Sequence, residues 1–139
     1  MTAMSDFNEK VMAEFRANKG LVGGPFAGAH MLILHTRGAR SDTPRELPLV
    51  YQPHGNAWAI FASKAGAPTH PDWYHNLVAH PGDVSIEVGA ETVAVTVRVL
   101  EGNERDAIWE AQKKASEAFA KYEAATTRTI PVVLLDRRA

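Results

Sequence analysis

The chain has 139 residues, 45% hydrophobic and 22% charged, with a formal net charge of −1 and no cysteine. That length suits one domain around one core, and the near-neutral balance provides no overall field for nucleic acid. Without cysteine there is no disulfide, no thiolate metal site and no thiol nucleophile, and no run approaches the roughly 18 apolar residues of a membrane span.

The N-terminus, M-T-A-M-S-D-F-N-E-K, is polar and lacks the apolar centre of a secretion signal, so the chain reads as cytoplasmic. Residues 5–18 carry an apolar stripe of Phe7, Val11 and Phe15 that predicts a helix docked on its own domain. Its Lys10 and Arg16 are too few cations for strong attraction to lipid. A glycine-rich linker, G-L-V-G-G-P-F-A-G, covers residues 20–28 and lacks the lysine and Ser/Thr ending of a phosphate loop. The expected organisation is a single domain over residues 1–139, with helix and linker at 1–22.

Strands are predicted at residues 31–36, 46–51 and 57–63, separated by turns at 37–44 and 53–56 where Gly, Ser, Asp, Asn and Pro cluster. A helix is predicted from Thr69, because Thr69 and Asp72 have capping-box spacing and Pro71 suits a first turn. His80-Pro81-Gly82 ends it. Residues 83–88 and 91–100 form a hairpin around Gly89-Ala90, with Val93, Val95, Val97 and Val99 on one face. One long helix starts at Asn103 and turns Ile108, Ala111, Ala115, Phe119 and Tyr122 to the core. Residues 130–135 make the last strand, with Pro131 near its start.

Two hairpin-connected strand groups with helices between and after them predict an antiparallel barrel. A parallel sheet would need a crossover helix between successive strands. No G-x-G-x-x-G follows a strand, which argues against a Rossmann site.

Two constellations could carry chemistry. Arg37, Arg40 and Arg45 flank the first turn, and Lys64 ends the third strand. If the first three strands pair consecutively, these four cations converge. Arginine forks match the oxygens of phosphate and carboxylate; the alternative is a solvated hairpin tip. The second constellation is Lys64-Ala65-Gly66-Ala67-Pro68 followed by the helix at Thr69. Small residues let backbone N–H groups approach a ligand, and a helix start favours negative charge. Trp73 and Asn76 on that helix suit a flat heterocycle with polar edges, although Trp73 could equally plug the barrel end. His70, His75 and His80 recur every five residues and cannot share one helical face, so no metal site is expected. No residue set would do difficult chemistry alone, which fits an enzyme whose cofactor carries the reaction.

Three segments carry a resemblance to a known family: H-T-R-G-A-R-S-D-T-P-R-E-L-P-L-V-Y, A-S-K-A-G-A-P-T-H-P-D-W-Y-H-N-L-V-A-H-P, and T-R-T-I-P-V-V-L-L. From about Gly24 to Leu135 the chain resembles the deazaflavin (coenzyme F-420)-dependent nitroreductase family. The resemblance implies an α+β fold, a mainly antiparallel split β-barrel like the flavin-mononucleotide-binding barrels, with flanking helices. It implies hydride transfer from reduced F-420 to a quinone-like or nitroaromatic acceptor. By position it assigns Arg40 and Arg45 to the cofactor's phosphate and polyglutamate tail, and Lys64, Ala65 and Gly66 to its phosphate and ribityl chain. Pro48, Ala62, Trp73 and Asn76 would line the deazaflavin ring, with Ser63 and Tyr122 on the substrate side.

The chain departs from the family pattern in two places. Its first turn has Ala39 for a basic residue and Asp42 for a glycine of the usual T-G-R-K-S-G. A like charge about 4 Å from an anionic tail costs about 4 kcal/mol at an effective dielectric near 20, which implies weakened or length-selective tail binding. Val50 and Phe119 stand where some nitro-reducing members carry hydroxyls, which favours quinones over nitroimidazoles. A non-catalytic deazaflavin carrier and a flavin-mononucleotide reductase are the alternatives. Monomer, homodimer and a weak contact with the inner membrane face all stay open.

Overall fold

The computed structural model describes residues 3–24 and 29–138, so the part of the predicted linker at 25–28 lies outside the described residues. Helix α1 (Ala3–Ala17) leads into β1 (Met31–Arg37), β2 (Pro44–Val50), β3 (Gln52–His54) and β4 (Ala57–Phe61). After a 3-10 turn at Lys64–Gly66 come α2 (Asp72–Ala79), a second 3-10 turn at Pro81–Asp83, β5 (Ser85–Val88) and β6 (Glu91–Val99). Helices α3 (Gly102–Ala115) and α4 (Glu117–Ala124) precede β7 (Val132–Arg137).

The strands form one seven-stranded sheet in the order β2-β1-β5-β6-β7-β4-β3, antiparallel at every ladder. Its two halves meet inside β6: residues 91–94 pair with β5, and residues 95–99 pair with β7. The sheet curls at that handover, giving the predicted split barrel. Strand β2 carries Pro44 and Pro48, and β3 carries Pro53. Both are sheet edges, where a missing N–H costs no ladder bond.

Four expectations need correction. The strand predicted at 46–51 ends at Val50, with Tyr51 N–H still donating to His30 O at 3.0 Å, and a separate short strand, β3, occupies 52–54 where a turn was expected at 53–56. The first three strands do not pair consecutively: β4 pairs with β7, in the other half of the sheet. Helix α2 starts at Asp72, with Pro71 extended before it (ψ 155°). His70 precedes that proline, which drives it away from helical geometry. The long C-terminal helix is two helices, broken at Ser116 (φ −147°, ψ 115°).

The break redirects the apolar faces. On α3 the buried residues are Ile108, Trp109 and Gln112, whereas Ala111 and Ala115 are exposed. Helix α4 then brings the Phe119 ring within 5.5 Å of Phe61 and 6.1 Å of Trp109. The valine face of β6 is likewise graded: Val93 and Val95 are buried, and Val99 at the strand's end is exposed.

The central core joins Leu32, Leu34, Ile60, Leu77, Ile86 and Leu135. A second cluster packs Phe61, Ile108, Trp109 and Ile130, and a third docks α1 through Val11, Met12 and Phe15 onto Met31 and Ile33. Burying Phe15 contributes about 2 kcal/mol to that docking. Arg16 of α1 adds a polar tie, donating to Glu46 Oε2 at 2.8 Å and to Glu87 Oε2 at 2.7 Å. The Arg16 guanidinium holds the Glu87 carboxyl down to about 2, below the usual carboxylate range, and the His35 hydrogen bond adds to this. His35, Glu46 and Glu87 place ligand-type atoms within 4.8 Å of one another, and the guanidinium of Arg16 is bonded to both carboxylates.

Candidate active site

A groove of about 1170 Å³ runs along the β1–β2 hairpin. Residues 45–50, both parities of β2, all line it. A strand presents one parity when its face lines a cavity; six consecutive residues mean that its free edge does. Because β2 ends the sheet, its outward N–H and C=O groups have no strand partner among the described residues. They are available to the polar edges of a flat ligand.

The hairpin register gives the groove a direction. At the turn end Thr36 pairs with Arg45, and at the open end Met31 pairs with Val50. Five residues of strand separate the two ends by roughly 17 Å. Arg40 and Arg45 line the turn end, while Met31, Leu49 and Val50 line the open end with Asn8 of α1. Phe61, Phe119 and Tyr122 complete the apolar wall. Arg37 is not with the other arginines: it donates to Asp42 O at 2.9 Å and pairs with Asp83 Oδ2 at 3.4 Å. Three predicted cations, not four, line the groove: Arg40, Arg45 and Lys64.

The Lys64 turn has unusual backbone geometry. Ser63 is right-handed helical (φ −78°, ψ −38°), while Lys64 and Ala65 have φ of 47° and 53°. Left-handed conformation costs a non-glycine residue about 1 kcal/mol or more. A right-handed residue followed by a left-handed one turns successive N–H groups into one concavity, which attracts anions. Ser63, Lys64 and Ala65 all line the groove. Lys64 Nζ donates to Thr69 Oγ1 at 3.3 Å, so Thr69 serves this turn and does not cap α2.

Two further predicted positions lie behind the groove wall. Ala62 is fully buried in the central core and does not line the groove. Gly66 does not line it either. A Cβ there would sit 2.8 Å from both Ala125 Cβ and Tyr122 O, so the residue is a close-packing point for α4.

On α2, Trp73 is both buried (6% exposed) and part of the groove, so the two readings of it coexist. Asn76 lines the groove while its side chain ties the turn to α2. Its Oδ1 accepts from Ala39 N–H at 2.9 Å, and its Nδ2 donates to Thr36 Oγ1 at 3.4 Å. Pro48, Ser63 and Tyr122 line the groove as expected. Asp42 is not a lining residue; its exposed carboxylate sits 3.8 Å from Arg37 Nη1 and 3.7 Å from His80 Nε2.

Sequence reasoning missed Asn8, His75 and Arg128. Nothing in α1 singles out Asn8, and the five-residue spacing of His75 from its neighbours speaks only to metal binding. Arg128 lies in the quoted T-R-T-I-P segment, where one arginine between threonines looks like a surface cation. Its guanidinium instead donates to Ala62 O, Ser63 O and Ala67 O at 3.0, 2.8 and 2.9 Å. It also meets His70 Nδ1 at 2.9 Å. Burial pushes the His70 imidazole below its ordinary value, with Arg128 and then His75 adding to the effect. The site thus offers an anion concavity and cations at one part, a free strand edge along its length, and an apolar open end. Such an arrangement can hold an elongated ligand with an anionic end.

Comparison with known proteins agrees with that chemistry. A family model described as F420H(2)-dependent quinone reductase matches residues 8–137. An F420H(2)-dependent quinone reductase of Mycobacterium tuberculosis is 39% identical over 130 residues, 91% of this chain and 87% of the relative. Among solved structures, an F420-H2 dependent reductase superposes with a TM-score of 0.69 at 36% identity, over 76% of this chain and 93% of the other. A domain-swapped dimer superposes with a TM-score of 0.71 at 32% identity, over 96% of both chains.

Proposed function

This chain belongs to the F420H(2)-dependent quinone reductase family, and from that premise we propose how its groove serves the family's reaction. The protein is an oxidoreductase that uses reduced coenzyme F-420 to reduce a quinone-type acceptor. The bound deazaflavin supplies the hydride; the chain's own residues bind, orient and exclude water.

The observation that carries the assignment of roles is the concavity at Ser63–Ala65 beside Lys64, in a groove that Arg40 and Arg45 also line. Its N–H groups and the ammonium hold the cofactor's phosphate, and the two arginines hold its anionic tail. The β2 edge around Pro48, with Trp73 opposite, lines the ring. The acceptor enters at the open end between Met31, Val50, Phe119 and Tyr122. The Tyr122 or Ser63 hydroxyl would stabilise charge developing on the acceptor oxygen, and apolar walls keep water from competing for the hydride. Asp42 contributes little, because its carboxylate is exposed and lies beside Arg37 and His80.

The test is a fluorescence titration with F-420 beside flavin mononucleotide. The wild type should bind the deazaflavin and not the flavin. Lys64→Ala should weaken binding at least tenfold, or about 1.4 kcal/mol; unchanged affinity would remove Lys64 from the site. A flavin-binding result would instead make the protein a flavin-mononucleotide reductase. Steady-state oxidation of the reduced cofactor with quinones and nitroaromatics then separates a reductase from a non-catalytic carrier, and names the acceptor class.

No described helix is long and apolar enough to cross a membrane. We further propose a cytoplasmic protein that meets quinone at the inner membrane face by weak peripheral contact. A domain-swapped relative supports a homodimer as the assembly to test against a monomer, by sedimentation.

A further inference from the structure

The guanidinium of Arg128 touches the Lys64 turn at several points at once. It donates from Nη1 to Ala62 O (3.0 Å), from Nη2 to Ser63 O (2.8 Å) and from Nε to Ala67 O (2.9 Å). These acceptors lie 61 to 66 residues before it in the chain. Its remaining partner is an imidazole, His70 Nδ1 at 2.9 Å.

Those bonds have a geometric consequence. In a planar trans peptide the C=O and the following N–H point in opposite directions. With the carbonyls of Ala62 and Ser63 aimed at Arg128, the N–H groups of Ser63 and Lys64 must point away from it. Those are amides of the concavity described above, and both residues line the groove. The same bonds offset the left-handed strain at Lys64 and Ala65, where neither residue is glycine. Arginine is charged at all relevant pH, and its four partners here are three carbonyls and an imidazole, with no carboxylate among them. A positive charge therefore sits directly behind the anion concavity.

We propose that Arg128 is a positioning residue for the cofactor: through three backbone carbonyls it aims the Ser63 and Lys64 amides into the groove and places a cation behind them. This rests on reading the groove as the F-420 site. Lysine at 128 would keep the charge but could not span three carbonyls, because an ammonium lacks the planar fork.

The experiment compares wild type, Arg128→Lys and Arg128→Ala in three measurements. These are F-420 affinity by fluorescence titration, hydrogen exchange of the 62–67 amides without cofactor, and steady-state quinone reduction. Arg128→Lys should bind F-420 about tenfold more weakly. Its 62–67 amides should exchange faster while those of β6 and β7 stay protected, and kcat at saturating cofactor should hold. Arg128→Ala should bind more weakly still, and guanidinium chloride below denaturing concentration should restore part of the affinity where the same concentration of methylammonium chloride does not. A purely structural role would instead lower protection throughout and show no selective rescue, and that result overturns the proposal. So does wild-type affinity in both variants, which would leave the reading of the groove intact. A wild type that fails to bind F-420 overturns the reading of the groove and this proposal together.

Discussion

Two turns bring cations to the groove, and they are held in opposite ways. The turn between β1 and β2 closes largely on itself, with one remote tie from Ala39 N–H to Asn76 Oδ1 on α2. Gly38 N–H donates to Thr43 O at 2.8 Å, Asp42 N–H to Gly38 O at 2.9 Å, and the hydroxyls of Ser41 and Thr43 share a hydrogen bond at 2.8 Å. The Lys64 turn has its own Gly66 N–H to Ser63 O and Ala67 N–H to Lys64 O bonds, at 2.9 and 3.0 Å. Beyond these it relies on Arg128 from across the chain and on a glycine wedged beneath α4. The first turn should therefore tolerate local change. The second should fail whenever its remote supports do.

The largest effect should come from the wedge. Gly66 has φ of +82°, and a Cβ there would meet Tyr122 O at 2.8 Å, so neither backbone conformation nor space suits alanine. Gly66→Ala should cost about 3 kcal/mol, combining left-handed strain with overpacking. Urea unfolding measures it, and a loss below about 1 kcal/mol would mean that α4 moves aside freely.

Acid should act on the same turn less strongly. His70 accepts from Arg128 through Nδ1, so it is neutral, and burial lowers its affinity for a proton. The unfolded chain then binds a proton more readily than the folded one. Stability rises with pH across that window, is complete above the ordinary imidazole value of about 6.5, and is lost as pH falls through the lowered folded value. Thermal unfolding from pH 7.5 to 5 should show this slope, and His70→Gln should flatten it. An identical slope in the variant would assign it to another group.

The smallest effect belongs to the self-closed turn. Asp42 has φ of 59° and an exposed carboxylate outside the groove lining. Asparagine adopts that backbone as readily as aspartate. Asp42→Asn should change F-420 affinity less than about twofold. A tenfold gain in the titration would instead show that the carboxylate repels the cofactor's tail, as its place in the family pattern implies.

How much of this was legible varies with the range of the interaction. The β5–β6 hairpin around Gly89-Ala90 and the β1–β2 turn follow from residues next to one another, and both stand where predicted. Arg40, Arg45, Pro48, Ser63, Lys64, Ala65, Trp73, Asn76 and Tyr122 do line one groove. Ala62 and Gly66 lie outside the groove lining, one in the core and one packed against α4, which depends on contacts that sequence position does not show. The helix break at Ser116 was missed because apolar spacing continued across it in the sequence.

The sequence by itself determined the antiparallel strands, the basic turn, the Lys64 segment and the family, since each depends on residues within a few positions or on motifs that stay contiguous. The tertiary structure alone decided that Arg37 faces Asp83, that the edge of β2 forms a groove wall, and that Arg128 supports the Lys64 turn. The physical reason is distance along the chain. A turn's own hydrogen bonds form among neighbours, whereas a guanidinium reaches carbonyls more than 60 residues away only after the sheet has curled and brought them together.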